Sequence, residues 1–458
     1  MKRRDFIKTA GAVALASSFP DSALGDDAES PMPNILLIFS DQQHWQALGF
    51  MDSFFDTPNL DKLAKESVVF DRSFCTTPQC SPSRSSLLTG FYPSATKVMG
   101  NCSAAGGAEL TQPTIAPELQ AAGYRTGYFG KWHLGNKDVA CAGWDDKVFK
   151  THDPTAQQET LAFLRDPATQ TKPFALFVSI NNPHDIYQFK QHTTEKDSVP
   201  LSPSWEEETF ANKPPIQQQF MNEDQGKTII GKPRKEWEKY HDCYRKQTKL
   251  YDDNVGTIIA ELKTQGKWDD TIVIITSDHG DMDAQHKLIF KGPFMYEHMM
   301  RVPLMIRLPK GTNGGRRIDT ADAVNVDLVP TIRELVDLPK KSTHGLSLAP
   351  LLTKKGNYEA REFVVGQYYS KQKWVNPIRM IRTKDYKLNR HITWGDELYD
   401  LKNDPHELTN RADDPKYTKI KKDLGNKLNQ WIKDHKDPFY SFAPTTRKGK
   451  PLVAENTK

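Results

Sequence analysis

The sequence predicts an α/β fold: a mostly parallel central sheet covered by helices, followed by a smaller C-terminal subdomain of antiparallel sheet and one helix. Three observations predict it, namely four near-continuous apolar runs, helix-like stretches between them, and a change to short strands after about residue 355. A strand that is covered on both faces is apolar along its whole length, as strands of parallel sheets are. The four runs are residues 34–39, 125–129, 174–180 and 271–276.

Helices are predicted between these strands. Residues 59–66 and 114–122 have the pattern of helices. A further helix is predicted directly before the fourth strand, because apolar side chains recur there at helical spacing, namely Tyr251, Val255, Ile258, Ile259 and Leu262. Residues 188–233 are rich in Pro, Gln, Lys and Glu without periodicity, which predicts a long insertion on the active face.

The chain after residue 355 has a different pattern. Short strands are predicted at residues 363–369, 378–382, 386–389 and 397–401, followed by a helix at about 416–435 and an extended tail. Such a succession is typical of a small antiparallel sheet packed by one helix. We therefore divide the chain into a main α/β domain of residues 26–355 and a C-terminal α+β subdomain of residues 356–458.

Residues 1–25 resemble an export signal. Arg3 and Arg4 precede a short apolar run over residues 10–19, and small residues up to Gly25 offer a cleavage site. The Arg-Arg-x-Phe-Ile-Lys core is similar to the twin-arginine signal, and an ordinary Sec leader is the alternative. Either signal predicts an exported protein of the bacterial periplasm or the outside.

Composition excludes several classes of protein. The chain has 458 residues, of which 37% are hydrophobic and 26% charged, enough for a sizeable core. Its net charge of +4 is spread thinly without a block of Lys/Arg, which argues against binding to nucleic acid. No run approaches the roughly 20 apolar residues of a membrane span. The five cysteines are scattered and odd in number, so at least one is unpaired or otherwise used.

Each of the four predicted strands runs directly into polar residues at its carboxyl end. The four sequences are Ser40-Asp41-Gln42-Gln43, Gly130-Lys131-Trp132-His133, Asn181-Asn182-Pro183-His184 and Ser277-Asp278-His279-Gly280. A lone Asp after a strand is usually a helix N-cap. Because the carboxyl ends of parallel strands converge on one crevice where ligands bind, the four ends together predict a functional site.

Two of these strand ends carry candidate metal ligands. Asp41 and Asp278 offer hard carboxylate oxygens, and Gln42 and His279 lie directly beside them in the sequence. Oxygen-rich sets of this kind suit Ca²⁺ or Mg²⁺, and the lack of a His/Cys cluster argues against a structural zinc. We expect one calcium ion, with His279 as the less usual ligand for a hard cation.

Residues 80–90 read Cys-Ser-Pro-Ser-Arg-Ser-Ser-Leu-Leu-Thr-Gly. This segment resembles, at every signature position, the C-x-P-S-R-x-x-x-L-T-G motif of the type I sulfatases, which belong to the alkaline phosphatase superfamily. The alternative is that Cys80 is a small buried residue before a helix rich in Ser and Arg. Further segments look like family landmarks in family order: residues 34–41, 57–61, 123–135, 277–280, 301–303, Asp327 with 330–331, and 397–401.

The resemblance implies that a formylglycine-generating maturation enzyme oxidises Cys80 to 3-oxoalanine, which is also called formylglycine. An ordinary serine nucleophile would leave a sulfated enzyme that is hard to hydrolyse. The hydrate of an aldehyde has one hydroxyl to attack the sulfur and a second that, once deprotonated, expels sulfate and restores the aldehyde. The resemblance thus implies a sulfuric ester hydrolase.

The resemblance also implies roles for residues near the strand ends. Asp41, Gln42, Asp278 and His279 match the four metal-ligand positions, where the family often has Asp second and Asn fourth. The ion would orient the nucleophilic hydroxyl and offset charge on the sulfate oxygens. Arg84 is implied to hold the hydrate.

Five basic side chains have implied roles toward the sulfate. Lys131 and Lys291 match the lysines that neutralise it as charge builds up during transfer. His133 resembles the histidine that assists the hydrate and its breakdown, and His184 resembles the one that protonates the leaving alcohol. For His286 a substrate contact and a structural support are both open.

The expected substrate is a sulfated carbohydrate, as for exported bacterial members of the family. Its recognition is expected from residues 188–233 and from the region of Trp374, Arg379, His391 and Trp394, although both tryptophans also fit a packing role. Two alternatives stay open: a phosphonate or phosphate ester hydrolase of the same superfamily, and a non-catalytic protein that binds sulfated glycan.

The four cysteines other than Cys80 form an even set. They are Cys75, Cys102, Cys141 and Cys243. An oxidising compartment permits these thiols to pair, and their positions in the sequence do not show whether they do.

Overall fold

Two sheets organise the computed structural model, which describes residues 32–102, 107–194 and 198–452. The strands, in chain order, are β1 (Asn34–Asp41), β2 (Val68–Phe70), β3 (Ser73–Phe74), β4 (Arg125–Gly130), β5 (Asp146–Val148), β6 (Phe174–Pro183), β7 (Thr271–Ser277), β8 (Leu304–Arg307), β9 (Arg316–Ile318), β10 (Ala323–Val324), β11 (Val364–Lys371), β12 (Trp374–Arg382), β13 (Tyr386–His391) and β14 (Gly395–Asp400). The predicted export signal at residues 1–25 lies outside the described residues.

The larger sheet has eight strands in the order β5-β4-β6-β1-β7-β8-β2-β9. Strands β4, β6, β1 and β7 are the four predicted from apolar runs, and they lie next to one another and run parallel. Strand β8 is antiparallel to both of its neighbours. The prediction of a mostly parallel α/β sheet is therefore confirmed. The sequence pattern did not reveal β2, β5, β8 and β9, which have only three or four residues each.

Helices cover both faces of this sheet. They are α1 (Pro58–Lys65), α2 (Cys80–Thr89), α3 (Pro93–Thr96), α4 (Ala116–Ala121), α5 (Asp138–Cys141), α6 (Asp153–Arg165), α7 (Pro167–Thr171), α8 (Pro203–Glu207), α9 (Ile216–Glu223), α10 (Arg234–Thr264), α11 (Glu297–Met300), α12 (Leu328–Leu335), α13 (Ala349–Thr353) and α14 (Thr418–Asp434). The helices predicted at 59–66, at 114–122 and before the fourth strand correspond to α1, α4 and α10.

Strand β1 shows why the central strands are apolar throughout. Ile35, Leu37 and Phe39 pack into one hydrophobic cluster, whereas Leu36 and Ile38 pack into another on the opposite face. All five are fully buried. Because both faces are covered, alternation with polar residues would place unpaired polar groups in a core.

The predicted insertion at residues 188–233 has regular structure that its composition does not reveal. It contains α8 and α9, and Ile216 and Phe220 of α9 are buried in the same hydrophobic cluster as side chains of the C-terminal sheet. The lack of periodicity misled the prediction because short helices bury only a few positions each.

The C-terminal chain forms the predicted antiparallel sheet, in the order β11-β12-β13-β14. Helix α14 packs on it through Leu424, Leu428 and Trp431. In the described part of the chain, no helix is long and apolar enough to cross a membrane.

Candidate active site

The carboxyl ends of the parallel strands meet around one cluster of polar side chains. Strand β1 ends at Asp41, and β7 is followed directly by Asp278. Ser40 of β1 pairs in register with Ser277, the last residue of β7, so the carboxylates of Asp41 and Asp278, which follow them, lie side by side. The main-chain NH of Gln42 donates to Asp278 Oδ1 at 3.0 Å and joins the two strand ends.

Lys131 reaches the same cluster from the end of β4. The preceding Gly130 has a φ of 109°, and a Cβ atom there would lie 1.9 Å from the carbonyl oxygen of Ser179. Only glycine tolerates this close approach. The turn brings Lys131 Nζ to 2.7 Å from Asp41 Oδ2.

Cys80 is the first residue of α2 and points into the cluster. Its Sγ lies 2.9 Å from Lys291 Nζ, 3.2 Å from His279 Nε2 and 3.6 Å from Asp41 Oδ1. Burial and Asp41 would raise the pKa of the Cys80 thiol, but Lys131, Lys291 and His279 hold it well below the ordinary value. The position of this side chain therefore stabilises negative charge.

Arg84 lies one helical turn after Cys80 and is fully buried. Its guanidinium donates to Asp41 Oδ2 at 2.9 Å and to Asp278 Oδ2 at 2.8 Å. The remaining donors reach the Lys131 carbonyl oxygen at 2.6 Å and Ser179 Oγ at 2.7 Å. Arg84 thereby fixes both carboxylates and the end of β4.

The charges of the cluster are unequal. Arg84, Lys131 and Lys291 supply three positive charges against the two carboxylates of Asp41 and Asp278. Burial would raise the pKa of Asp41, but Lys131 and Lys291 outweigh it and keep the pKa well below its usual range. The pKa of Asp278 is raised by burial and by the neighbouring Asp41. A surplus of positive charge in a buried site favours an anionic ligand.

Four side chains of the cluster fit a divalent cation. Ligand atoms of Asp41, Asp278 and His279 lie within 4.8 Å of one another and of Cys80 Sγ. His279 Nδ1 lies 2.8 Å from the Gly280 carbonyl oxygen, which only accepts, so Nδ1 carries the proton and Nε2 keeps its lone pair toward the cluster. Gln42 adds its Oε1, which already accepts from Lys291 Nζ at 2.7 Å. The set suits a hard cation with one nitrogen ligand.

A cavity of about 330 Å³ opens above Cys80. Strand-end residues form its floor and the C-terminal sheet forms one wall; the lining is Pro78, Gln79, Cys80, Asn101, His133, His184, Tyr187, Gln225, Lys291, Gly292, Tyr368, Lys371 and Gln372. Lys371 Nζ is held by Asp224 Oδ2 and Gln225 Oε1, both at 2.6 Å. Burial lowers the pKa of Lys371 to about 8. The cavity thus joins the main domain, the insertion and the C-terminal sheet.

The two predicted histidines both line this cavity. His133 has a φ of 58°, and its Nδ1 is buried without a hydrogen-bond partner among the described residues. A buried polar atom without a partner is costly unless a ligand supplies one. Burial and Lys131 hold the pKa of His184 well below its ordinary value. His184 is therefore neutral in the free protein at neutral pH.

His286 lies apart from the cluster. Its Nδ1 is 2.6 Å from Glu208 Oε2 and 3.2 Å from Lys213 Nζ, and its ring stacks on Tyr296 with centroids 3.9 Å apart. It lines a neighbouring cavity of about 400 Å³ and is not among the residues that line the cavity above Cys80. These contacts favour a structural role for His286 over a substrate contact, because the buried ion pair of Glu208 and Lys213 holds its ring.

The side chains proposed around Arg379 do not reach the cavity either. Arg379 forms a buried ion pair with Asp437, His391 Nε2 lies 3.1 Å from Glu397 Oε2, and Trp394 Nε1 donates to Asn376. Trp374 is buried at 3% exposure. None of these four residues is among those that line the cavity above Cys80, and Arg379, His391 and Trp394 each have a side-chain partner within the C-terminal subdomain.

Several of the cavity residues that sequence reasoning missed come from two places outside the strand ends. Tyr187 lies next to the predicted insertion at residues 188–233, and Gln225 lies within it. Lys371 and Gln372 lie where β11 turns into β12. No motif marks them, since their role follows from how the second sheet packs. Among the cysteines, Cys75, Cys141 and Cys243 are free thiols, so the permitted pairing is not used by them.

Two family models match the sequence. The model described as Sulfatase matches residues 33–338, more than half of the chain, and the model described as N-sulphoglucosamine sulphohydrolase, C-terminal, matches residues 285–434. The two matches together cover the main domain and the C-terminal sheet.

Similar proteins cover most of the chain. An uncharacterized sulfatase, YidJ, of Escherichia coli (strain K12) is 28% identical over 90% of this chain and 89% of its own. A Delta 4,5-hexuronate-2-O-sulfatase of Bacteroides thetaiotaomicron is 28% identical over 90% and 91%. A crystal structure of a protein described as a sulfatase, also from Bacteroides thetaiotaomicron, superposes with a TM-score of 0.84 at 26% identity, over 92% of this chain and 97% of that one.

Proposed function

The chain belongs to the sulfatase family and is a sulfatase, and we propose that it removes sulfate from a sulfated carbohydrate through a formylglycine made from Cys80. The observation that carries the proposal is the position of Cys80. This residue is the first of α2, and its side chain lies at the floor of the cavity, surrounded by Lys131, Lys291 and His279. A nucleophile at this point would meet a sulfate group among positive charges.

Formylglycine requires a maturation enzyme. That enzyme would replace the CH₂–SH of Cys80 by an aldehyde. The carbon loses two electrons, which an oxidant supplied by the maturation enzyme takes up, the aldehyde oxygen comes from outside the side chain, and the sulfur leaves as sulfide. Water adds to the aldehyde and gives two hydroxyls on one carbon. The predicted leader agrees with export to the periplasm or the outside after this step.

The first chemical step transfers sulfate to the hydrate. One hydroxyl loses its proton to a base beside it, for which Asp41 is the candidate, since Asp41 Oδ1 lies 3.6 Å from Cys80 Sγ. Its oxygen attacks the ester sulfur while the bond from sulfur to the leaving oxygen breaks, and His184 gives the leaving oxygen a proton. His184 is neutral in the free protein, and the negative charge of a bound sulfate ester raises its pKa, because it offsets Lys131 and Lys291. The two lysines stabilise charge on the sulfate oxygens.

The second step releases sulfate. A base removes the proton of the other hydroxyl, the carbonyl double bond reforms, and the bond between carbon and the sulfate oxygen breaks. His133, whose Nδ1 has no hydrogen-bond partner in the described part of the chain, is the candidate for this proton. Arg84 holds Asp41 and Asp278 in place throughout. A divalent ion held by Asp41, Gln42, Asp278 and His279, which we expect to be calcium, would supply further positive charge beside the nucleophile.

The substrate class follows from the cavity and the relatives. Amide, phenol and ammonium groups of Asn101, Gln225, Tyr187 and Lys371 line it, which suits a ring that carries hydroxyl and anionic groups. One relative of similar length is named for a hexuronate 2-O-sulfate. A panel of defined sulfated saccharides, scored for released sulfate, tests this proposal, and turnover of simple aryl or alkyl sulfates alone would contradict it.

The nucleophile is tested by Cys80→Ala. We expect turnover of an aryl sulfate to fall at least about 1000-fold, since the covalent route is lost. The matched control is Cys243→Ala, which removes another buried thiol, located on α10, and should keep full activity. Intact mass should show the loss expected when CH₂–SH becomes an aldehyde, in the parent and in Cys243→Ala.

The same assay distinguishes a sulfatase from the alternative, a phosphonate or phosphate ester hydrolase of the same superfamily. An aryl phosphonate that is hydrolysed much faster than the aryl sulfate would overturn the sulfate assignment. Unchanged turnover in Cys80→Ala would overturn the nucleophile.

A further inference from the structure

The side-chain amide of Gln42 must be oriented to act as a ligand, whereas the carboxylate of an aspartate at the same position would not need to be. A carboxylate has two equivalent oxygens, whereas a side-chain amide has an oxygen that can bind a cation and an NH₂ group that cannot. If Gln42 is a ligand, something must hold its oxygen toward the cluster. This requirement rests on the ligand assignment made above.

The partner of the NH₂ group is Asp281. Gln42 Nε2 donates to Asp281 Oδ2 at 2.5 Å, while Gln42 Oε1 faces the other way and accepts from Lys291 Nζ at 2.7 Å. Burial raises the pKa of Asp281 to about 7, and the hydrogen bond from Gln42 favours the ionised form, which only accepts hydrogen bonds. With the carboxylate of Asp281 behind it, the amide is held with its oxygen toward the cluster.

Asp281 is itself fixed by two donors. Its Oδ1 accepts from Tyr240 Oη at 2.8 Å and from the main-chain NH of Asp283 at 2.7 Å. The Tyr240 hydroxyl also accepts from the main-chain NH of Phe290 at 2.8 Å, so its own proton is directed to Asp281. Asp281 has no exposed surface, so these bonds are shielded from bulk solvent.

The main chain of Gln42 is fixed on both sides, so only the orientation of its side-chain amide remains to be determined. Its φ is 76°, a conformation that residues other than glycine rarely adopt. The NH donates to Asp278 Oδ1, and the carbonyl oxygen accepts from Tyr244 Oη at 2.7 Å. Such conformations persist where the surroundings determine them, often at functional sites.

We propose that Asp281, held by Tyr240, is a positioning residue that orients the Gln42 amide with its oxygen toward the cation site. It touches neither the cavity nor the four ligand atoms, and it acts through Gln42 alone. A carboxylate ligand would need no such partner, because its two oxygens are equivalent. In this chain the hydrogen bond from Gln42 Nε2 decides which end of the amide faces the cation site.

The test is Ca²⁺ affinity, measured by calorimetric titration of the metal-stripped full chain. Asp281→Asn should lower the affinity about 10- to 100-fold, as loss of partners behind metal ligands does, because an amide accepts or donates and no longer selects one orientation of Gln42. Tyr240→Phe should lower it less. Asp283→Asn is the matched control: it removes a neighbouring buried carboxylate that binds His44 and His241, and its affinity should stay within about 3-fold of the parent.

A rescue distinguishes orientation from damage to the fold. In the Gln42→Asp background, where both oxygens are equivalent, Asp281→Asn should cost little further affinity. An equal loss in Asp281→Asn and Asp283→Asn, or no loss in Asp281→Asn, would overturn the positioning role. A parent that binds no Ca²⁺ would instead overturn the ligand assignment on which this proposal depends.

Discussion

Two buried arginines, Arg84 on helix α2 and Arg379 on strand β12 of the C-terminal sheet, have similar burial and similar direct contacts but different roles. Arg84 and Arg379 have no exposed surface, and each guanidinium lies over an aromatic ring, at 5.1 Å for Arg84 and 4.9 Å for Arg379. Arg379 places two donors on one carboxylate, Asp437, at 2.6 and 2.7 Å, and donates to two main-chain carbonyls. Arg84 divides its donors between the carboxylates of two strands.

The difference lies in what surrounds the pairs. The Arg379 pair is balanced, with one cation and one carboxylate. Around Arg84 the carboxylate of Asp41 is also bound by Lys131, and Lys291 lies 3.7 Å from it, so cations outnumber carboxylates below a cavity. Burial of an arginine therefore does not mark function; a surplus of charge that faces a cavity does.

Of the changes that test this comparison of two arginines, Arg84→Lys is expected to have the largest effect. Lysine keeps the charge but cannot bridge two carboxylates, so Asp41 and Asp278 lose their common partner. We expect kcat/KM for an aryl sulfate to fall between about 100- and 1000-fold. The measurement is steady-state kinetics on protein whose formylglycine content has been checked by mass. Activity within a few-fold of the parent would show that Arg84, like Arg379, is a structural ion pair.

The matched change, Arg379→Lys, should affect stability and leave the chemistry intact. The carbonyl oxygens of Tyr368 and Ile378 would lose their donors, and Asp437 would lose one of its two hydrogen bonds from residue 379. We expect the free energy of unfolding to fall by about 2–3 kcal/mol, with kcat/KM of the folded protein within about 3-fold of the parent. Denaturant titration beside kinetics checks both. A selective loss of kcat without loss of stability would contradict the comparison.

The same contrast explains how far the sequence was informative. The four central strands were predicted because covered strands need continuous apolar runs, and the topology then brings Asp41, Lys131, His184 and Asp278 to one edge. Arg379 was misjudged because a sequence does not show which polar side chain has a buried partner nearby. The cavity wall at the end of β11 was missed because it depends on how the second sheet packs.

A third buried cluster extends the comparison to a titratable group. His286 is held by Glu208 and Lys213, and burial and Lys213 lower its pKa to about 3. In the unfolded chain a histidine binds a proton near pH 6.5. Between pH 6.5 and 3 the unfolded state therefore binds more protons than the folded state, and stability falls as the pH falls.

The smallest effect we predict is in this pH dependence. From pH 7 to pH 5, protonation of His286 in the unfolded chain should cost about 2 kcal/mol of stability. Glu208, whose pKa is lowered to about 2, does not titrate in this interval. His286→Gln should therefore lose about 2 kcal/mol less than the parent over these two pH units, in denaturant titrations at each pH, while His152→Gln, an exposed histidine, controls for the change of residue type. Equal losses in His286→Gln and the parent would mean that His286 gains its proton as readily in the folded state as in the unfolded chain, and that solvent reaches this cluster.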